Sequence, residues 1–185
     1  MQAQFFALQN HHEQLQKEFT RYQEVTSTIE MLEKYVPYVL RINEGLAKKH
    51  EKYRIDENKA LYIVHVIHKH CAIWDVPLEL AFRHFAWESS FCPTIRNLQN
   101  GEDYGLGQIN KGTLPLLARK VAYERVVNPF DIEKNVAMSL CYLSDCLAIS
   151  DGDWHEALAR YNAGRYWKTH GMAHAGKVLS RQTAF

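Results

Sequence analysis

Two carboxylates fifteen positions apart, Glu88 and Asp103, stand in contrasting surroundings. Glu88 lies among aromatics, with Trp87 beside it, Phe91 just beyond and Phe85 one turn back. Desolvation disfavours the charged form of a carboxyl, so a protonated Glu88 is favoured there. The spacing of Leu78, Ala81, Phe82, Phe85 and Ala86 predicts a helix, with Asp75 ahead of Pro77 as its start signal. Glu88 then falls at or near the C-terminal end of that helix. The negative end of the helix dipole opposes another negative charge, which acts in the same direction as desolvation. A carboxyl that keeps its proton is what a general acid needs.

Asp103 belongs to the run Asn-Gly-Glu-Asp-Tyr-Gly-Leu-Gly-Gln-Ile-Asn, residues 100–110, which opens on the tight-turn signal Asn100-Gly101. The stretch reads as helix, irregular segment and hairpin. Glycosidases pair a raised-pKa acid with a second carboxylate across the scissile bond. Here the helix end supplies the acid and the hairpin its partner. An acid at a helix end before a polar loop is also ordinary surface chemistry, and Asp103 reads equally as a polar residue holding the turn. Spacing alone leaves both readings open.

Other elements must hold these two groups. Ala60, Ile63, Val64, Ile67, Cys71 and Trp74 predict a helix over residues 58–74, in a domain that begins near Asp56. A short helix over 113–121 turns Leu114, Leu117 and Val121 inward, and Asn128-Pro129-Phe130 breaks the chain after it. A long helix over 131–149 carries Ile132, Val136, Leu140, Leu143 and Leu147, and Asp151-Gly152-Asp153 ends it and caps a helix over 154–161. Short helices with one small hairpin give a mostly α, α+β architecture.

Composition limits the function classes. At 185 residues with 46% apolar content, the chain can bury one core and a small appendage. A formal charge of +1 argues against nucleic acid as a partner and fits a carbohydrate or mixed polymer. No run of eighteen apolar residues exists, so no membrane span is expected. The first dozen residues lack the basic start and apolar core of a secretory signal. Cys71, Cys92, Cys141 and Cys146 contain no C-x-x-C pair and read as buried thiols. His65 and His68 share a helix face, yet no third ligand follows at a convincing spacing, so no metal or cofactor is expected.

Glu88-Ser89-Ser90-Phe91, then Tyr104-Gly105-Leu106-Gly107-Gln108-Ile109-Asn110, then Ala159-Arg160-Tyr161-Asn162-Ala163-Gly164 resemble, in order and with suitable gaps, the three motifs of the soluble lytic transglycosylase domain of the lysozyme-like superfamily. The run from Asp103-Tyr104-Gly105 to Asn110 also resembles the hairpin of animal lysozymes and of secretion-associated transglycosylases. The resemblance implies cleavage of peptidoglycan glycan strands between N-acetylmuramic acid and N-acetylglucosamine. It makes Glu88 the group that protonates the leaving oxygen and then takes the proton of the sugar's own 6-hydroxyl, giving an anhydro product. Tyr142 and Tyr161 match cleft-lining tyrosines, and Gln108 and Asn162 match polar residues that bind sugar. Ser89, Asn97 and Asn110 complete the implied substrate-binding set, Asn97 where many members have serine near the acetamido group. Asp103 is a second catalytic candidate, because hydrolysing lysozymes keep such an aspartate. Asn135 and Tyr142-Leu143 fall at matching places of the family core.

One departure from the family pattern bears on the cleft. Gly-Leu-Gly-Gln replaces the usual Gly-Leu-Met-Gln, so Gly107 is expected to remove a side chain from the cleft wall. His84, four residues before Glu88 on the same helical face, would lower the acid's pKa if charged, and it reads as neutral or turned away. The alternatives are a true lysozyme using Glu88 and Asp103, or an inactive glycan-binding component of a virion. Retention of Glu88, Gln108, Tyr161 and Asn162 together speaks against the inactive form.

Residues 1–52 read as a helical arm ahead of a catalytic domain at 53–185. Leu8, Leu15, Tyr22, Ile29 and Val36 recur every seventh position, and Val25, Leu32, Val39 and Leu46 supply a second seam. Pro37 is expected to kink or restart the helix, and Lys48 to Arg54 is a charged linker. Such an arm folds back on its own domain, associates with itself, or docks on virion or secretion-machine proteins. An enzyme acting in the periplasm on the cell wall without a signal segment implies delivery by a virion or a dedicated machine.

Overall fold

The computed structural model describes residues 2–98, 102–123 and 127–181, with side chains from His11 onward. The expected Asn100-Gly101 turn lies outside the described residues. Two compact units divide the chain, residues 1–35 and residues 36–185. Helix α1 runs Gln2–Ala47 with Pro37 inside it. A proline there removes a donor and destabilises a helix by about 3 kcal/mol. The helix does not restart at Pro37 but runs on through it, and Val36, Tyr38 and Val39 around it are buried. In the first unit Leu15, Phe19, Tyr22, Val25 and Ile29 are exposed. The second unit begins at Val36 rather than at residue 53, so the end of α1 is part of it.

In that second unit α2 (Glu57–Trp74) starts on Asp56, whose side chain accepts the Lys59 N–H at 2.7 Å. Of the predicted stripe it buries Ala60, Ile63, Val64, Ile67 and Cys71 and leaves Trp74 half-buried. Asp75, expected to open the next helix, instead closes α2 in the left-handed conformation, and Pro77 leads into α3 (Leu78–Glu88). A sheet of two-residue strands follows, β1 (Arg96–Asn97), β2 (Asp103–Tyr104) and β3 (Ile109–Asn110), antiparallel in the order β1-β2-β3. It has one strand more than a hairpin. Glu102 ties it together by ion pairs to Arg96 and to Lys111.

Helix α4 (Leu114–Lys120) buries Leu117. The central helix α5 (Ile132–Ile149), capped by Asp131, buries Asn135 through Cys141, then Leu143 and Cys146. It packs on α2, α4 and α6 (Trp154–Ala163), the last capped by Asp153. Next come a single 3₁₀ turn, Gly164–Tyr166, and a π-helical turn, Trp167–Gly171, and then α7 (Met172–Ser180), which packs on α6 and α3. All four cysteines are free and buried, and His65 and His68 are exposed.

The turn after α3 aims Glu88. Ser90 and Phe91 both take the left-handed conformation, with φ of 51° and 58°. Two such non-glycine residues in succession are strained and need support from their surroundings. Phe91 is fully buried against the rings of Tyr38 and Phe82, at 5.8 and 6.0 Å. Asn43 of α1 donates to the Ser90 carbonyl at 3.2 Å and to the Tyr53 carbonyl at 3.1 Å, and accepts the Ile55 N–H at 3.0 Å. The end of α1 thus fixes the turn that ends α3 at Glu88.

Candidate active site

Glu88 is the last residue of α3, its side chain 10% exposed, on the wall of a cleft of about 670 Å³. Burial pushes its carboxyl pKa up; His174 pulls it down and the charge of Asp103 pushes it up again. The net direction is upward, as the aromatic setting and the helix end predict. His84 lies 3.8 Å away through Nδ1 and is fully buried. Burial pushes its pKa down to about 3, so it is neutral and leaves the acid's proton undisturbed. It faces Glu88 rather than turning from it.

A buried chain of hydrogen bonds holds the loop beside the acid. The Tyr161 hydroxyl donates to the Gly107 carbonyl at 2.7 Å, so its contact with Ser139 Oγ at 2.7 Å must be one it accepts. With its proton spent on Tyr161, Ser139 accepts from His84 Nε2 at 3.3 Å. Asn135 donates to the carbonyls of Tyr104 and Pro129 at 3.0 and 2.9 Å and accepts the Gly107 N–H at 2.8 Å. Burial pushes the phenol of Tyr161 well above its usual value, so it serves as a neutral donor.

Glycine is required twice in this loop. Gly105 has φ of +73°, and a Cβ there would stand 2.5 Å from the Pro129 carbonyl oxygen. At Gly107 a Cβ would meet Ser139 Oγ at 2.3 Å. Gly107 therefore backs onto α5 and is not among the residues lining the cleft. The expected gap in the cleft wall is a packing feature: Ser139 and the Tyr161 hydroxyl occupy the space on that side.

The structure gathers most of the predicted residues on one cleft: Glu88, Asn97, Asp103, Gln108, Asn110, Tyr142, Tyr161 and Asn162 all line it. Asp103 accepts from Asn110 Nδ2 at 2.9 Å across the β2–β3 pair. Gln108, in the left-handed conformation, turns its amide back to the Gly105 carbonyl at 2.8 Å. The rings of Tyr142 and Tyr161 stand 5.1 Å apart. Ser89 differs: it is buried behind the wall, its hydroxyl donating to the Phe85 carbonyl at 3.2 Å, so it braces the end of α3. His174, Thr113, Tyr166 and His170 also line the cleft and lie outside the set expected from sequence. His174 comes from α7, its Nε2 3.1 Å from Glu88 Oε1. The apolar repeat Met172, Ala175, Val178, Leu179 is the sequence signal for that helix.

The chain is mostly helical, 73% helix with a small three-stranded sheet, and its domain with a buried carboxyl over a polar cleft has the lysozyme-like fold. The chain belongs to the family described as the transglycosylase SLT domain, whose profile matches residues 65–178. Solved structures with a similar fold include the 70-kDa soluble lytic transglycosylase of Escherichia coli, 19% identical over 63% of this chain and 20% of that one, TM-score 0.50. An inactive mutant of lytic transglycosylase Slt from Pseudomonas aeruginosa is 17% identical over 76% of this chain and 24% of that one, TM-score 0.52. A complex of the 70-kDa soluble lytic transglycosylase with bulgecin A is 20% identical over 85% of this chain and 28% of that one, TM-score 0.55. The matched part of each of those proteins is thus between a fifth and little more than a quarter of its length. No curated protein matches. No helix among the described residues is long and apolar enough to cross a membrane.

Proposed function

We propose that this chain is a peptidoglycan lytic transglycosylase in which Glu88 is the general acid and then the general base. The observation that carries the reading is the buried, raised-pKa carboxyl at the end of α3, on the wall of a polar cleft. Glu88 gives its proton to the glycosidic oxygen as the bond from the muramic acid C1 to that oxygen breaks. The carboxylate left behind takes the proton of the 6-hydroxyl of the same sugar, whose oxygen bonds to C1. The proton account closes and Glu88 is restored. Asn97, Gln108, Asn110, Tyr142, Tyr161 and Asn162 hold the sugars, and Ser89 acts through the backbone it braces. Family membership and the activity for which the structurally similar proteins are named support the substrate class.

A hydrolytic course has one observation in its favour. Asp103 lines the same cleft and its charge acts on Glu88, the arrangement of a second carboxylate beside an acid. Asp103→Asn separates the two: a hydrolase that relies on it loses orders of magnitude in turnover, whereas a transglycosylase loses little. Turbidity clearing of purified sacculi reads both, and Glu88→Gln should abolish it. Residues 1–35 and the exposed apolar side chains of α1 serve assembly, with a second copy or with parts of a virion or secretion machine that delivers the enzyme to the cell wall.

A further inference from the structure

Two histidines face the same oxygen of Glu88, and the hydrogen bonds on their far sides give them opposite roles. On the α3 side, the chain from Tyr161 through Ser139 uses the Nε2 proton of His84. Its Nδ1, 3.8 Å from Glu88 Oε1, therefore presents a lone pair. On the α7 side, the indole N–H of Trp87 donates to Nδ1 of His174 at 3.0 Å. That places the proton of His174 on Nε2, 3.1 Å from the same Oε1. Buried Ala175 and Val178 anchor α7 behind it.

Glu88 Oε1 is buried, and neither it nor His174 Nε2 has a hydrogen-bond partner in good alignment. Catalytic hydrogen bonds in unliganded sites are often misaligned and tighten with substrate. Glu88 lines the cleft while its Oε1 is buried, which leaves Oε2 as the oxygen toward the glycan. We propose that His174 is a positioning residue: held by Trp87 with its proton on Nε2, it claims Oε1 of Glu88 and leaves the acid's own proton on Oε2, where the glycosidic oxygen can receive it. His84, offering only a lone pair, cannot take that part. Without His174 the proton divides between two oxygens, one of them sealed away from the substrate. When the proton has gone to the leaving oxygen, the N–H of His174 meets the new carboxylate charge with a charge-assisted bond and gives up no proton.

This inference rests on Glu88 being the acid, and its test keeps the two apart. The titratable groups facing Glu88 are His84 from α3, Asp103 from β2, Tyr161 from α6 and His174 from α7. The full chain with His174→Phe, His174→Gln or Glu88→Gln is assayed on purified sacculi for kcat, KM and pH profile. With His174→Phe, kcat should fall on the order of tenfold to a hundredfold, the scale set by a misplaced reacting group, with KM little changed. The alkaline limb should move to higher pH, because the donor that favours the carboxylate is gone. His174→Gln, whose amide can donate to the same oxygen, should recover most of kcat. Wild-type kcat and an unmoved limb in His174→Phe, with Glu88→Gln inactive, overturn the inference alone. An active Glu88→Gln removes the acid assignment beneath it. Should His174→Phe fail to fold, ¹⁵N shifts of the wild-type histidines decide: a proton on Nδ1 of His174 overturns the inference, and one on Nε2 supports it.

Discussion

At the scale of the residue, burial gives Glu88 its chemistry at the expense of stability. Its folded pKa is held above the ordinary carboxyl value of 4.5, so the folded state binds this proton more tightly than the unfolded chain. The associated stability is fully present below the unfolded pKa and is lost as pH rises through the folded one. Glu88→Gln has no such loss. Its melting temperature should exceed wild type by an amount that grows between pH 4 and pH 8, and a difference constant over that range would contradict the burial account. Gly107 supplies a second test. Gly107→Ala pushes a methyl into Ser139, an overpacking of about 1–3 kcal/mol, and disturbs the Tyr161 hydrogen bond. Adding Ser139→Gly should return much of the stability in a denaturant titration; purely additive losses would mean the two do not meet. The type of residue 107 was legible in the sequence, but its direction was not, since motif spacing does not say which side of a loop faces a cleft.

At the scale of the element, the helices that could be read were those whose own chain declares them. Stripes at helical spacing and the caps Asp56, Asp131 and Asp153 mark α2, α5 and α6 before any packing is known. Glu88 was legible from its aromatic neighbours at a helix end, and its cleft partners from the resemblance of the three motifs to the family. Tertiary contacts decide the rest. The helix runs on through Pro37, whose neighbours are buried, and the left-handed turn at Ser90 and Phe91 exists because Tyr38, Phe82 and Asn43 hold it. The apolar repeat of α7 is short and follows a 3₁₀ and a π-helical turn, so it marks a helix without setting the path that brings His174 beside Glu88. Asn43 gives the element-scale prediction. Asn43→Ala strands the Ser90 and Tyr53 carbonyls and the Ile55 N–H, and should destabilise by about 1–3 kcal/mol. Activity should fall further than stability accounts for, since the turn aiming Glu88 loses its brace. Urea titration beside the sacculus assay checks both, and an unchanged specific activity would show that the turn stands without Asn43.

At the scale of the whole molecule, the division at residues 35 and 36 changes where the chain can be cut. A fragment of residues 53–185 lacks Tyr38, Val39 and Asn43, which belong to the second unit's core and hydrogen-bonding, and should be poorly folded. A fragment of residues 36–185 keeps them and should fold and cleave. The exposed row Leu15, Phe19, Tyr22, Val25 and Ile29 is an association liability in water. Light scattering at tens of micromolar should find the full chain associated and the 36–185 fragment monomeric; two monomers would remove the assembly role of α1.

In the proposed reaction Glu88 first gives and then takes a proton, closing the muramic acid onto its own 6-hydroxyl. Mass spectrometry of muropeptides released from purified sacculi tests it most directly, because an anhydro end is one water lighter than a reducing end. The wild-type chain should release anhydro ends, and a folded Glu88→Gln should release none. Reducing ends alone, or release by Glu88→Gln near the wild-type level, would contradict it.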